Sequence, residues 1–299
     1  MAAPRIALVG CGRWGRNILR DLLALGAAVT VVDPDAAARA AARAAGAGVA
    51  LAELDGLGAI DGAVVATPTS SHAAAIEVLL ARAVPLFCEK PLTAEPRDAA
   101  HLAARAGGHL FVMDKWRYHP GVEALAALAR SGELGPVIGL RTTRLGRHTH
   151  ADVDAVWILA PHDLSIALEI LGALPEPRAA VAECDGRGAV GLLGVLGERP
   201  WHVLEVSAAA VEWRREIRLH CRDGVAVLPD AESPQLSIHR RDGIVTTRPL
   251  DREWPLRREL RAFLAHLAGG PPPRSSATEG AAIVAALAAL RRLAGVDAT

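Results

Sequence analysis

Six residues near the start of the chain, Gly10-Cys11-Gly12-Arg13-Trp14-Gly15, set three glycines at the G-x-G-x-x-G spacing. At that spacing the first glycine allows a tight turn and the second lets backbone approach a pyrophosphate. The third lets a helix pack close to the preceding strand. The apolar run Arg5-Ile6-Ala7-Leu8-Val9 leads into them, and a helix starting near Trp14 would aim its unpaired N–H groups at an anion. Asp33 closes the next apolar run, Val29-Thr30-Val31-Val32, about 20 residues further on, where an acid holds the adenosine ribose hydroxyls. Strand, glycines, helix, strand and acid in that order predict a bound dinucleotide. Asp33 would repel a 2′-phosphate, and Pro34, Asp35 and Ala36 offer no cation to receive one, so NAD is expected rather than NADP.

Lys90 is the second residue suited to chemistry. It follows the apolar run Pro85-Leu86-Phe87-Cys88 and precedes Pro91, which fixes the turn. A lysine held there, beside a nicotinamide, would hydrogen-bond a substrate hydroxyl, and partial burial would bring it toward acid–base range. The same spacing also fits a strand cap paired with Glu89. Two more segments end strands with polar groups: Thr67-Pro68-Thr69-Ser70-Ser71-His72, and Asp114-Lys115-Trp116-Arg117-Tyr118. Trp116, Arg117 and Tyr118 would either stack on and bind a substrate or pack as a loop. Tyr118 is the one tyrosine, and Val122 stands four positions later, which excludes a Tyr-x-x-x-Lys pair. Arg147-His148-Thr149-His150-Ala151-Asp152 reads as a surface loop in which His148 is a candidate substrate contact. Read as a surface loop, this segment is not expected to hold a metal.

The elements that position these groups fall into two grammars. Up to residue 118, strands alternate with helices: helices at 16–25, 36–45, 72–83 and 96–106, and further strands at 62–66, 85–88 and 109–113. That alternation predicts a doubly wound parallel α/β sheet in a domain spanning 1–118. From 119 to 299 the strands crowd together at 137–145, 178–184, 188–196, 201–209, 214–222 and 225–228, with turns such as Asp223-Gly224. Helices at 121–130, Pro161 to Leu171, 255–268 and 278–294 complete an α+β domain with an open, mainly antiparallel sheet. Strands 201–209 and 214–222 carry Trp201, Val203, Leu204, Val206, Trp213, Ile217 and Leu219, more apolar surface than one core face needs. A homodimer or homotetramer through this sheet is expected.

Composition narrows the function class. The 33 basic and 33 acidic residues balance, with no stripe for nucleic acid. No apolar run reaches bilayer length. Cys11, Cys88, Cys184 and Cys221 are scattered without a C-x-x-C pair, which fits a reducing cytoplasm.

Together, Gly10-Cys11-Gly12-Arg13-Trp14-Gly15, Ala66-Thr67-Pro68 with His72, and Glu89-Lys90-Pro91-Leu92 resemble the Gfo/Idh/MocA family (glucose–fructose oxidoreductase, inositol dehydrogenase and rhizopine-catabolism proteins). Ser131-Gly132-Glu133-Leu134-Gly135 is similar to the family's entry into its second domain. Pro161-His162-Asp163-Leu164 resembles its catalytic-histidine helix, and Leu256 to Gly270 its late helix. The resemblance implies a Rossmann domain with bound NAD and an α+β substrate domain that often makes oligomer contacts. It also implies hydride transfer between nicotinamide and a small-molecule sugar, cyclitol or related carbinol. Lys90 and His162 match the family's catalytic pair. Gly10, Gly12, Arg13, Trp14, Gly15, Asp33, Thr67, Pro68, His72, Glu89 and Lys90 are the expected cofactor residues, with Asp163 a further candidate at the substrate. Many members carry aspartate four residues before the histidine, where this chain has Ile158. That departure leaves open a reductase acting on a carbonyl or imine, or a non-catalytic NAD-binding sensor or scaffold.

Overall fold

Six strands make one parallel sheet: β1 (Arg5–Val9), β2 (Ala28–Val32), β3 (Val49–Leu51), β4 (Gly62–Val65), β5 (Leu86–Glu89) and β6 (Leu110–Met113). The structure is a computed structural model and describes residues 2–147 and 152–296. The strand order is β3-β2-β1-β4-β5-β6, so the chain reverses direction of growth between β1 and β4, the switch point of a doubly wound sheet. β1, β4, β5 and β6 are apolar on both faces because helices cover both. The crossovers are α1 (Gly15–Ala24), α2 (Ala36–Ala44), α3 (His72–Leu80) and α4 (Pro96–Arg105). β3 went unread in the sequence: it has three residues and follows an alanine-rich helix, too short to show a period.

The second sheet has eight strands: β7 (Val137–Leu145), β8 (Pro177–Asp185), β9 (Gly188–Leu196), β10 (Trp201–Ser207), β11 (Arg214–Cys221), β12 (Gly224–Leu228), β13 (Gln235–Arg240) and β14 (Val245–Pro249). Their order is β14-β13-β12-β11-β7-β10-β9-β8. All pairs are antiparallel except β10 with β7. Helices α5 (Pro120–Ser131) and α6 (Ala155–Leu171) pack together and against this sheet. A core of Val122, Leu125, Leu140, Ile166, Leu219 and Ile238, among others, fills the space between.

Two expectations are corrected. First, the chain divides into compact units of Met1–Lys115 with Trp254–Ala281, and Trp116–Glu253 with Ala282–Thr299. The expected division at residue 118, with the whole tail in the second domain, differs because α7 (Pro255–Leu267) returns to the first unit. Its Leu256, Leu260 and Phe263 join the core that holds Ile6, Leu8 and Phe87. The last helix, α8 (Ala277–Leu293), contributes residues to both units. Second, α6 begins six residues before Pro161. The Asp154 carboxylate accepts the Val156 and Trp157 N–H groups at 3.1 and 3.3 Å and caps it there. The proline, read as a helix start, lies inside the helix. No helix among the described residues is long and apolar enough to cross a membrane.

Candidate functional site

Each glycine of the first turn has its own steric reason. Gly10 has φ +91°, and a Cβ there would stand 2.7 Å from backbone atoms of Ala66 and Thr67. A Cβ on Gly15 would stand 2.3 Å from the Gly10 carbonyl oxygen, so this glycine sets how closely α1 meets β1. A Cβ on Gly12 would meet nothing within 4 Å, so the turn is open at that position. The first turn of α1 carries no acidic residue, and its N-cap residue Trp14 supplies no side-chain cap. The Arg16 and Asn17 N–H groups turn back onto the Gly12 and Trp14 carbonyls at 3.1 and 2.9 Å, so what the helix offers an anion is chiefly the positive end of its dipole.

Asp33 ends β2 beside this turn and is buried. Its carboxylate accepts the Cys11 N–H at 2.7 Å and the Asp35 N–H at 2.9 Å, which fixes its plane relative to the glycine turn. Arg39 donates to the carbonyls of Asp33 and Pro34, each at 2.8 Å.

The loops after β4 and β5 are tied together. His72 is 1 % exposed. Its Nδ1 lies 3.0 Å from the Pro91 carbonyl and its Nε2 3.0 Å from the Thr67 carbonyl. Burial pushes the imidazole pKa down, against the two carbonyls, which favour its charged form. With both nitrogens engaged, His72 shapes the two loops and has no nitrogen directed at a ligand, unlike the cofactor contact expected from sequence. Thr67 Oγ1 is buried and has no hydrogen-bond partner among the described residues. Pro68 is exposed beside it.

Glu89 and Lys90 follow β5. The Glu89 carboxylate accepts the Trp14 indole N–H through one oxygen and the Lys90 backbone N–H, at 3.2 Å, through the other. Lys115 Nζ stands 4.3 Å from the Trp14 ring centre. Arg13 is exposed. The glycine turn and the Glu89-Lys90-Pro91 turn are therefore joined through one carboxylate at the carboxyl ends of β1 and β5.

The second unit places the other candidates on α6 and the turn before α5. His162 is buried, and its carbonyl accepts the Ser165 hydroxyl at 2.9 Å. Ile158, on the same helix, is half-buried. Asp163 is 1 % exposed and accepts Arg144 Nε at 2.6 Å. Arg144 also lies 4.6 Å over the Trp116 ring, and Trp116 stacks on His119 at 4.8 Å. Arg117, which is buried, donates to the half-buried Glu169 at 2.9 Å. Tyr118 is buried. Thus Asp163 and Arg117, expected at the substrate, each hold an ion pair. His148 lies outside the described residues.

Arg144 and its neighbour across the strands, Arg215, were not found from sequence. Burial, then the nearby Arg144 charge, lowers the Arg215 pKa to about 10. The signal for Arg144 was an arginine at a core-facing position of β7, visible only once the strand's inward face is known.

Residues 4–112 match the model of an oxidoreductase family with an NAD-binding Rossmann fold. This segment, a little over a third of the chain, is similar to the Gfo/Idh/MocA oxidoreductases. The rhizopine catabolism protein MocA of Rhizobium meliloti is 36% identical over 144 residues, covering 45% of each chain. A myo-inositol dehydrogenase of Streptomyces leeuwenhoekii is 38% identical over 144 residues, covering 46% of this chain and 44% of its own. These matches span less than half the length of either relative. The UDP-N-acetylglucosamine 3-dehydrogenase of Acidithiobacillus ferrooxidans matches at 26% identity over 97% of both chains. Its solved structure superposes with a TM-score of 0.87 and covers 98% of each chain. Both sheets therefore have counterparts in one similar protein.

Proposed function

We propose that this protein is an NAD(H)-dependent oxidoreductase that moves hydride between nicotinamide and a hydroxyl or carbonyl carbon of a sugar, cyclitol or nucleotide sugar. The observation that carries the reading is Asp33, pinned at the end of β2 by the Cys11 and Asp35 N–H groups beside a glycine turn left open at Gly12. The residues fit the cofactor: Gly12 and the uncapped start of α1 suit a pyrophosphate, Asp33 suits ribose hydroxyls, and the unpartnered Thr67 Oγ1 is a further donor. When bound, NAD supplies the acceptor or donor of hydride. Lys90, set by the Glu89 turn, holds or moves the proton at the substrate oxygen. His162 is the second proton handler. The full-length likeness to a UDP-N-acetylglucosamine 3-dehydrogenase supports a nucleotide sugar among the candidate substrates. Reduction of a carbonyl or imine uses the same groups in the other direction.

Turnover against panels of polyols, sugars and nucleotide sugars with NAD+, and of their keto forms with NADH, tests the reading. Ile158 favours a second reading, a non-catalytic NAD-binding sensor or scaffold, since no carboxylate stands one turn before His162. NADH binding without turnover across the panels would decide for the sensor.

The preference for NAD is also testable. Replacing Asp33 with serine removes the charge that opposes a 2′-phosphate and leaves Arg39 anchored on the adjacent carbonyls. NADH affinity is expected to fall about tenfold, from loss of a charged hydrogen bond worth roughly 1.5 kcal/mol, and NADPH affinity to rise. Fluorescence titration with both cofactors reads the two constants. Tighter NADPH binding by the wild type would overturn the assignment.

We also propose a homodimer or homotetramer through the second sheet, in the reducing cytoplasm that four free cysteines suit. The outward apolar surface differs from the expected one. Leu204, Val206, Ile217 and Leu219 point into the core. Val181 and Leu193, paired across β8 and β9, are 69% and 43% exposed instead. Light scattering at micromolar concentration is expected to give a dimer or larger, and Leu193→Lys to shift it toward monomer. A wild-type monomer would sink the proposal.

A further inference from the structure

Glu259 sits in α7 with no exposed surface, and neither carboxyl oxygen has a hydrogen-bond partner among the described residues. A bare carboxylate in such a place is costly, so an acid there keeps its proton or gains a partner. Its position is set by register. Phe263, one helical turn later, stacks on Phe87 of β5 with ring centres 5.0 Å apart. A Cβ on Gly62, at the start of β4, would stand 2.9 Å from Leu267 and 3.2 Å from Phe263. The helix therefore runs from the carboxyl ends of the strands toward their amino ends, antiparallel to β5. Residues i and i+4 share a helix face, and alternate residues share a strand face. One turn back from Phe263 on α7 is Glu259. Two residues on from Phe87 in β5 is Glu89. The charged groups facing Glu259 are Glu89 from the end of β5, and Asp114 and Lys115 from the end of β6.

We propose that Glu259 is a positioning residue for the Glu89-Lys90-Pro91 turn: it backs Glu89 as a neutral acid, and ionising it would set a buried like charge behind the carboxylate that holds Trp14 and the Lys90 N–H. Its meaning for catalysis rests on the reading of Lys90 above, whereas the placement of the proton does not.

Burial first, then the Glu89 charge, pushes the Glu259 pKa well above the usual carboxylate range, with Lys115 opposing. Between the unfolded and the folded pKa the folded protein therefore binds up to one more proton than the unfolded chain. Stability from this group is complete below the unfolded value, near 4.5, and is lost as pH rises toward the folded one.

The test compares wild type with Glu259→Gln in the full chain. Urea unfolding between pH 5 and 8 is expected to show the wild-type unfolding constant rising relative to the variant's by up to about tenfold per pH unit. The Trp14 indole ¹⁵N–¹H resonance, assigned with Trp14→Phe, is expected to move on alkaline titration of the wild type and to stay fixed in Glu259→Gln. Equal pH slopes in the two proteins would overturn the proposal. So would matching Trp14 titrations, or failure of the glutamine variant to fold. None of these readouts needs turnover, so a protein that proves not to be a dehydrogenase still answers the question.

Discussion

Lys90→Met is expected to lower kcat by about 10²–10⁴-fold, the usual loss when a positioned proton-transfer group is removed. Its melting behaviour should change little. The β5 core residues Leu86, Phe87 and Cys88 stay buried in the variant, and the turn keeps its contacts through the Lys90 backbone N–H and the Pro91 carbonyl. Methionine keeps most of the length and apolar stem of lysine while removing the charge. KM for the substrate should move less than kcat, because the lysine's proton is needed chiefly as the carbinol opens or closes. Single-turnover stopped flow at 340 nm, with NADH affinity measured separately, distinguishes lost chemistry from lost binding. Near-normal turnover would make Lys90 a strand cap. The companion variants are His162→Ala and Ile158→Asp. If His162→Ala leaves kcat unchanged, His162 is a packing residue and Lys90 works without it. Ile158 is half-buried, so aspartate there can reach water and should be tolerated in the fold.

The three glycines of the first turn are expected to separate folding from binding. Gly10→Ala forces a left-handed backbone on alanine and drives its Cβ into the backbone of Ala66 and Thr67. Gly15→Ala drives a Cβ into the Gly10 carbonyl. Neither neighbour can rotate away as a side chain would. We expect Gly10→Ala to cost about 3–5 kcal/mol, combining overpacking with backbone strain, and Gly15→Ala about 1–3 kcal/mol from overpacking alone. Gly12→Ala meets no protein atom, so urea unfolding should find it close to wild type. Its methyl group would enter the space assigned to the pyrophosphate, and NADH affinity should fall by at least tenfold. Equal stability losses at all three positions would show that the turn tolerates no side chain for reasons of fold alone. Unchanged NADH affinity in Gly12→Ala would move the pyrophosphate elsewhere.

The parts of this chain that could be read in advance are those whose cause lies within a few residues. The parallel strands other than β3 announce themselves because they are largely buried, so each is a mainly apolar run ended by a glycine or a polar group. The glycine turn and Asp33 are legible for the same reason: their geometry is fixed by one strand–helix–strand unit. Pairings over longer separations are not. Nothing in Thr142-Thr143-Arg144-Leu145 says that Arg144 meets Asp163, nor that Arg117 meets Glu169, until the sheet's inner face is known. The pattern of α7 shows an apolar stripe but not which unit it will cover. Glu259 lies on that stripe, between Leu256 and Phe263 at helical spacing. A charged residue on an apolar face was the available sign that its carboxyl would be buried. At α6, Pro161 drew the helix boundary to itself, whereas Asp154 had the better claim as a capping residue.

The buried imidazole of His72 has an evolutionary consequence. By holding the carbonyls of Thr67 and Pro91, it makes two loops from different crossovers into one mechanical part. A residue inserted into either loop would pull on the other, so neither can drift in length independently. Variation between related chains should therefore take the form of exchanged side chains at exposed sites such as Pro68 and Ser70, with both loop lengths held constant. An engineer grafting the Glu89-Lys90-Pro91 turn into another scaffold would need to carry the Thr67 loop and its histidine with it.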